Sequence, residues 1–195
     1  GEYMGLFGNT GRESLIKDLT VNAQISKSLS ISGDTYFGLI AARSEGRIVN
    51  CITEGKVDLT VSDPGQLSFG GITGRLEGSI DNAMNKASLT LNKNGDGWLM
   101  MGGITGVSMG ENTRLSNLTN QGAITAVCNN RANIGGMAGI LGAGTQTEKL
   151  LNSGKITPEQ NGTAGSSNSF FRGVVGGFGD NQKDKGPKQR EKFLL

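Results

Sequence analysis

The chain has no histidine, and it has only three prolines and two cysteines in 195 residues. Aromatic residues make up just 5% of it, with a single tryptophan. Without histidine there is no Ser-His or Cys-His nucleophile pair and no histidine-ligated zinc. Three prolines and no G-X-Y period exclude collagen. No run of 18 or more apolar residues occurs, so no membrane span is expected in this chain, and no signal peptide is read at its start. Charge of one sign is missing too, with 19 Lys+Arg against 17 Asp+Glu. The segment from Asp180 onward carries the whole excess, which leaves the rest neutral. That balance offers no electrostatic footprint for nucleic acid.

Glycine is abundant, at 33 residues. A helical repeat would not tolerate that, since each interior glycine costs about 1 kcal/mol relative to alanine. Many of these glycines belong to a hexapeptide: large apolar, variable, Gly, aliphatic, variable, small. Its copies begin at Tyr3, Tyr36, Phe69, Met101, Ile134 and Phe171, so the spacings are 33, 33, 32, 33 and 37. Recurrence at that period marks a solenoid or other repeat array. The third-position glycines are Gly5, Gly38, Gly71, Gly103, Gly136 and Gly173. A glycine repeated there predicts close backbone approach or positive φ at a tight corner. The following aliphatics (Leu6, Leu39, Ile72, Ile104, Met137, Val174) are expected to point into the core.

A second signature follows each polar loop: aliphatic, variable, Asn/Asp, variable, then a small residue, a spacer and Ile, Val or Leu. Asp18, Asn50, Asn82 and Asn117 hold the Asx position, where the fifth copy has Lys149. Such residues tolerate left-handed backbone and bond their own turn, so they read as corners. Stacked in successive coils, their side chains should also bond along the axis.

These observations predict an all-β fold, a right-handed parallel β-solenoid of about six coils with three short strands each. Handedness follows the general preference of parallel crossovers, and the length would be roughly 25–30 Å. Residues 1–179 form the repeat domain, and 180–195 a polar, basic tail or linker. Phe193-Leu194-Leu195 could fold back over the open end. The Gly/Ser/Asn-rich stretch from Pro158 to Asn168 reads as a surface loop. Cys51 and Cys128, two repeats apart, are too distant for a disulfide and read as buried, inert thiols.

The pattern G-[LIMV]-x-G, a polar loop, I-x-N and G-x-[IV] resembles the GLUG-motif repeats of bacterial surface proteins. The resemblance runs from residue 3 to about 179. It implies a β-solenoid outside the cell, in adhesins and in secreted or lipid-anchored proteins of gut bacteria. It brings no shared activity with it.

The loops carry recurring acid–base pairs, among them Arg75 with Glu77 and Glu111 with Arg114. Lined up along a solenoid they form either a solvated edge that blocks lateral aggregation or a ridge that engages a partner. Asn92, Asn94 and Asp96 have the spacing that opens a calcium loop. One carboxylate where a strong site has three, and Gly103 at the twelfth position, favour a plain turn. Trp98 reads either as a sugar-stacking platform or as a cover for one end of a coil. No cofactor and no catalytic centre is expected.

The function expected is a non-enzymatic extracellular or cell-surface module, a stalk or adhesive surface for a glycan, host or matrix protein. A carbohydrate-active β-helix enzyme is the alternative, and a passive spacer in a longer protein is a third. A glycosidase would show two carboxylates about 5–10 Å apart in a groove, with a Lys or Arg and exposed aromatics nearby. Open solenoid ends expose strand edges, which predicts flanking domains or an end-to-end dimer through the Tyr3 end.

Overall fold

The computed structural model describes residues 2–161 and 169–179. Gly1, the segment from Asp180 onward with its apolar Phe193-Leu194-Leu195, and most of the Gly/Ser-rich loop before Phe171 lie outside them. Among the described residues every regular element is a strand and every strand pairing is parallel. The result is a parallel β-solenoid of about five turns with a period of about 32 residues. A sixth coil begins with Phe170–Arg172 and Val175–Phe178. No helix is long and apolar enough to cross a membrane.

Three sheets run along the axis. Sheet A stacks Glu2–Met4, Thr35–Gly38, Leu67–Gly70, Leu99–Gly102, Ala132–Gly135 and Phe170–Arg172. Sheet B stacks Phe7–Thr10, Ala41–Ser44, Thr73–Leu76, Thr105–Ser108, Ala138–Leu141 and Val175–Phe178. The hexapeptide therefore supplies two strands and the bend between them. Sheet C closes each coil with two strands, such as Arg47–Val49 followed by Ile52–Val61. A coil thus has four strands where the sequence suggested three, because the Asx corner and a later corner divide sheet C at different points.

The core is two columns of side chains. One lies between sheet A and the second half of sheet C, with Phe37, Phe69, Met101 and Ile134 against Val57, Leu89 and Ile124. The other lies behind the bend and the first half of sheet C, with Ile40, Ile72, Ile104 and Met137 against Ile48, Ile80 and Leu115. Burial of such columns, at roughly 25 cal/mol per Å², is what holds coil upon coil.

Strand pairing corrects the hexapeptide register. Phe37 pairs with Phe69 and Gly38 with Gly70, so the first two copies slip by one residue relative to the others. Gly5 and Gly38 belong with Gly70, Gly102 and Gly135, whereas Gly71, Gly103 and Gly136 form the next column, aligned with Leu6 and Leu39. In the second coil Ile40 is the inward aliphatic in line with Ile72, and Leu39 is buried beside it. The first coil is one residue shorter at the bend, so Phe7 pairs with Ala41 and stays 40% exposed. Leu6, read from sequence as core, is 59% exposed. The slip arises because a Gly-Gly pair flanked by apolar residues fits the hexapeptide template in two frames.

The glycine columns serve close approach and not positive φ. A Cβ on Gly71, Gly103 or Gly136 would collide with the side chain of Asn85, Asn120 or Asn152 and with the carbonyl of the next coil. Those asparagines form a buried ladder three residues after the Asx corner. Asn85 Nδ2 donates to Asn120 Oδ1 at 2.8 Å and Asn120 Nδ2 to Asn152 Oδ1 at 2.8 Å, and Thr53 donates to Asn85 from the coil before. Each amide also bonds backbone two residues on, as Asn85 does with Ala87. Where the ladder position is Thr53, the residue aligned with the glycine column is Leu39. Where it is asparagine, the facing residue is glycine.

The Asx corners adopt left-handed backbone as expected, with φ between 50° and 55° at Asp18, Asn50, Asn82, Asn117 and Lys149. Their axial ladder is partial. Asn50 Nδ2 donates to Asp18 at 2.6 Å and Asn82 Nδ2 to Asn50 at 3.2 Å, but Asn117 turns to Asp81.

Candidate functional site

Outward-facing residues of sheets A and B meet at the bend and leave a groove along the axis. The sheet A column reads Tyr3, Tyr36, Ser68, Met100, Asn133, Phe170. The sheet B column reads Asn9, Arg43, Arg75, Val107, Ile140, Gly177. Both columns change character between the third and fourth coils, from aromatic and charged to apolar. The core columns show no such change. Period-2 alternation dictates which residues face out, but only correct register puts them in one line.

The first half of the groove is held by a zigzag of ions across three coils. Glu45 accepts from Arg12 at 3.3 Å and lies 2.9 Å from Arg43. Arg43 also reaches Glu77, and Arg75 reaches Glu77 at 2.6 Å from its own coil. Arg75 Nη1 donates to the Tyr36 hydroxyl at 3.3 Å, and its guanidinium lies over that ring. Tyr36 in turn stacks near Tyr3, with ring centroids 5.6 Å apart. Hydrogen bonds from Arg43, then the charge of Arg75, hold the Glu77 carboxyl below its ordinary range. Asp81 is also held low, by Ser116 and Asn117. Neither of these two carboxyls is poised as a proton donor.

Beside this ladder lies an open hollow of about 530 Å³ at the turn into sheet C, bordered by Arg12, Glu45, Arg47, Glu77, Met109 and Glu111. The pairing of Arg75 with Glu77 read from sequence is present. The pairing of Glu111 with Arg114 is not, because Arg114 reaches forward to Glu148 of the next coil at 3.0 Å. Glu111 borders the hollow while Arg114 opens sheet C, so these two do not share a site with Trp98.

Trp98 stands in the second half of the groove. It packs on Met100, Val107 and Ile140, an apolar cluster separate from the core. The Arg131 guanidinium lies 3.8 Å over its ring. Around them is a pocket of about 540 Å³ that also includes Asn133, Phe170, Arg172 and Phe178. Two polar atoms of residues that line it are buried without a partner, Trp98 Nε1 and Asn133 Oδ1. A smaller pocket of about 150 Å³ shares Met100, Val107 and Met109 and reaches Tyr36 and Arg75, so the halves are continuous.

Asn94 and Asp96 follow the strand Ser88–Lys93, with Asn92 exposed within it. Their loop's carbonyls are already engaged. Asn129 Nδ2 donates to Asn94 O at 2.9 Å and Asn130 Nδ2 to Asp96 O. Lys93, 1% exposed, turns its ammonium onto Gly95 O at 3.2 Å and Asp63 O at 3.4 Å. A cation of the protein's own thus bonds the carbonyls around this loop. No group of three His, Cys, Asp or Glu residues converges among the described residues. Burial lowers the Lys93 pKa and raises those of Cys51 and Cys128, both free thiols.

Comparison with family models, with curated proteins and with solved structures finds no match to this chain. The functional reading therefore rests on its own residues.

Proposed function

We propose that this chain is a non-enzymatic binding module that presents the groove between sheets A and B to a ligand or partner. One observation carries this reading. The outward columns change from Tyr, Tyr, Ser and Asn, Arg, Arg to Met, Asn, Phe and Val, Ile, Gly, while the inward columns stay uniformly apolar. A continuous outward face whose residues differ from coil to coil is how solenoids carry binding surfaces. The acidic groups next to the groove argue against the glycosidase alternative. Glu45 and Glu77 share Arg43, and a glycosidase needs one carboxyl kept protonated, not two held by guanidinium. Placement at a bacterial cell surface, with a glycan, host or matrix partner, belongs to the same proposal and draws on the GLUG-motif resemblance.

The test is incubation with a panel of polysaccharides and matrix glycoproteins, scoring both retention and released reducing ends. Retention without product is the expected result. Product release that disappears in Glu45→Gln or Glu77→Gln protein would replace the binding module with an enzyme.

A further inference from the structure

We infer that the pocket around Trp98 binds the apolar C-terminal residue of a peptide, or an N-acylated apolar amino acid of the same chemistry. This rests on the groove reading above and names the ligand class for one end of it.

Four features converge on that chemistry. Met100, Val107 and Ile140 form an apolar floor, and Phe178 beside them is 50% exposed. A floor of this kind takes a branched or aromatic side chain. Arg131 and Arg172 line the same pocket and both are exposed. Among the described residues neither has a carboxylate partner; each lies instead over a ring, Trp98 and Phe170 respectively. Planar guanidinium forks of this kind suit a carboxylate. Trp98 Nε1 is a buried donor lacking an acceptor, and Asn133 Oδ1, in a side chain only 3% exposed, is a buried acceptor lacking a donor. Leaving such atoms unmet is costly in the free protein. Turned toward the pocket, the two side chains would find both partners in one secondary amide, its C=O for Trp98 and its N–H for Asn133. An amide, an apolar side chain and a carboxylate on one small skeleton describe a peptide's last residue.

A bare fatty or aryl acid lacks the amide, and an uncharged peptide segment lacks the carboxylate. A sugar ring matches neither the two guanidiniums nor the apolar floor.

Trp98 is the only tryptophan, so intrinsic fluorescence reports on this pocket alone. The experiment titrates the whole chain with N-acetyl-leucine, N-acetyl-leucinamide and 4-methylpentanoate, following Trp98 emission. N-acetyl-leucine should bind at least about tenfold more tightly than either of the others, the range expected for losing one charge-assisted contact or the paired amide bonds. Arg131→Gln with Arg172→Gln should erase the preference for acid over amide. Asn133→Leu should erase the preference over 4-methylpentanoate while keeping the fold, read by circular dichroism. Equal binding of all three probes, or no response at millimolar concentrations, overturns the ligand assignment. The groove reading survives that result if a retained glycan or matrix protein still shifts Trp98 emission. It falls if neither small nor large ligands do.

Discussion

The Arg43 guanidinium forks onto Glu77 of the following coil, Nε to Oε1 at 2.9 Å and Nη2 to Oε2 at 3.0 Å. Both side chains are about three-quarters removed from solvent, which lifts the pair above an ordinary surface bridge. The Glu77 carboxyl is held below its ordinary value of 4.5, chiefly by these bonds. Since the folded value is the depressed one, the stabilisation is fully present above 4.5 and is lost as pH falls through the folded value. Glu77→Gln should cost about 1–2 kcal/mol near neutral pH, a figure discounted for partial exposure. Urea titrations across the acid range should show that gap closing as pH falls. A gap that stays constant would mean the loss comes from packing and not from charge.

Gly103 faces Asn120 so closely that a Cβ there would run into the asparagine side chain and into Gly136 O of the next coil. Gly103→Ala should therefore destabilise by about 3 kcal/mol or more, well beyond the usual surface substitution. Asn120→Ala removes a rung bonded to Asn85, Asn152 and Gly122, with a cost of about 2–4 kcal/mol. The double variant should cost less than the two singles together, because one of the two collisions disappears. Strict additivity in denaturant melts would show that the glycine answers only to the neighbouring backbone.

The period, the parallel coil and the Asx corners were legible in the sequence because each depends on one residue type at one spacing. Asn50 and Asn82 announce left-handed corners by themselves. Register was not legible to a single residue, since Phe37-Gly38-Leu39 and Phe69-Gly70-Gly71 fit one template in two frames. That slip concealed the second asparagine ladder, although its signal was present as Asn82 with Asn85 and Asn117 with Asn120. It concealed the groove as well. Tyr36, Ser68, Met100 and Asn133 form a column only when each immediately precedes the paired large apolar residue. Pairing between charges was half legible: Arg75 with Glu77 is intracoil, whereas Arg43 with Glu77 and Arg114 with Glu148 cross between coils.

Lys93 pairs with Val61 in the coil before and Cys128 in the coil after, and its ammonium bonds to the carbonyls of Asp63 and Gly95. Burial lowers its pKa from the ordinary 10.5. Between the lowered folded value and 10.5 the unfolded chain binds more protons, so this group makes stability rise with pH across that window. Compared in a Cys128→Ala background, which removes the neighbouring thiol, protein with Lys93 should gain stability relative to Lys93→Met as pH climbs toward 10.5. The opposite trend in thermal melts would mean that the carbonyls favour the ammonium more than burial opposes it.

Lys149 is the exception among the five corners, since it holds φ 51° without an Asx side chain. Left-handed backbone costs an ordinary L-residue roughly 1–2 kcal/mol, and asparagine less because its side chain bonds locally. Lys149→Asn should therefore stabilise by about 0.5–1 kcal/mol, worth about 1–4 °C in melting temperature for a domain of this size. The reverse exchange, Asn82→Lys, should lose a similar amount plus its bond to Asn50. Lys149→Gly separates the two sources. If glycine stabilises as much as asparagine, the backbone conformation alone matters. If asparagine gains more, its amide has joined the corner ladder.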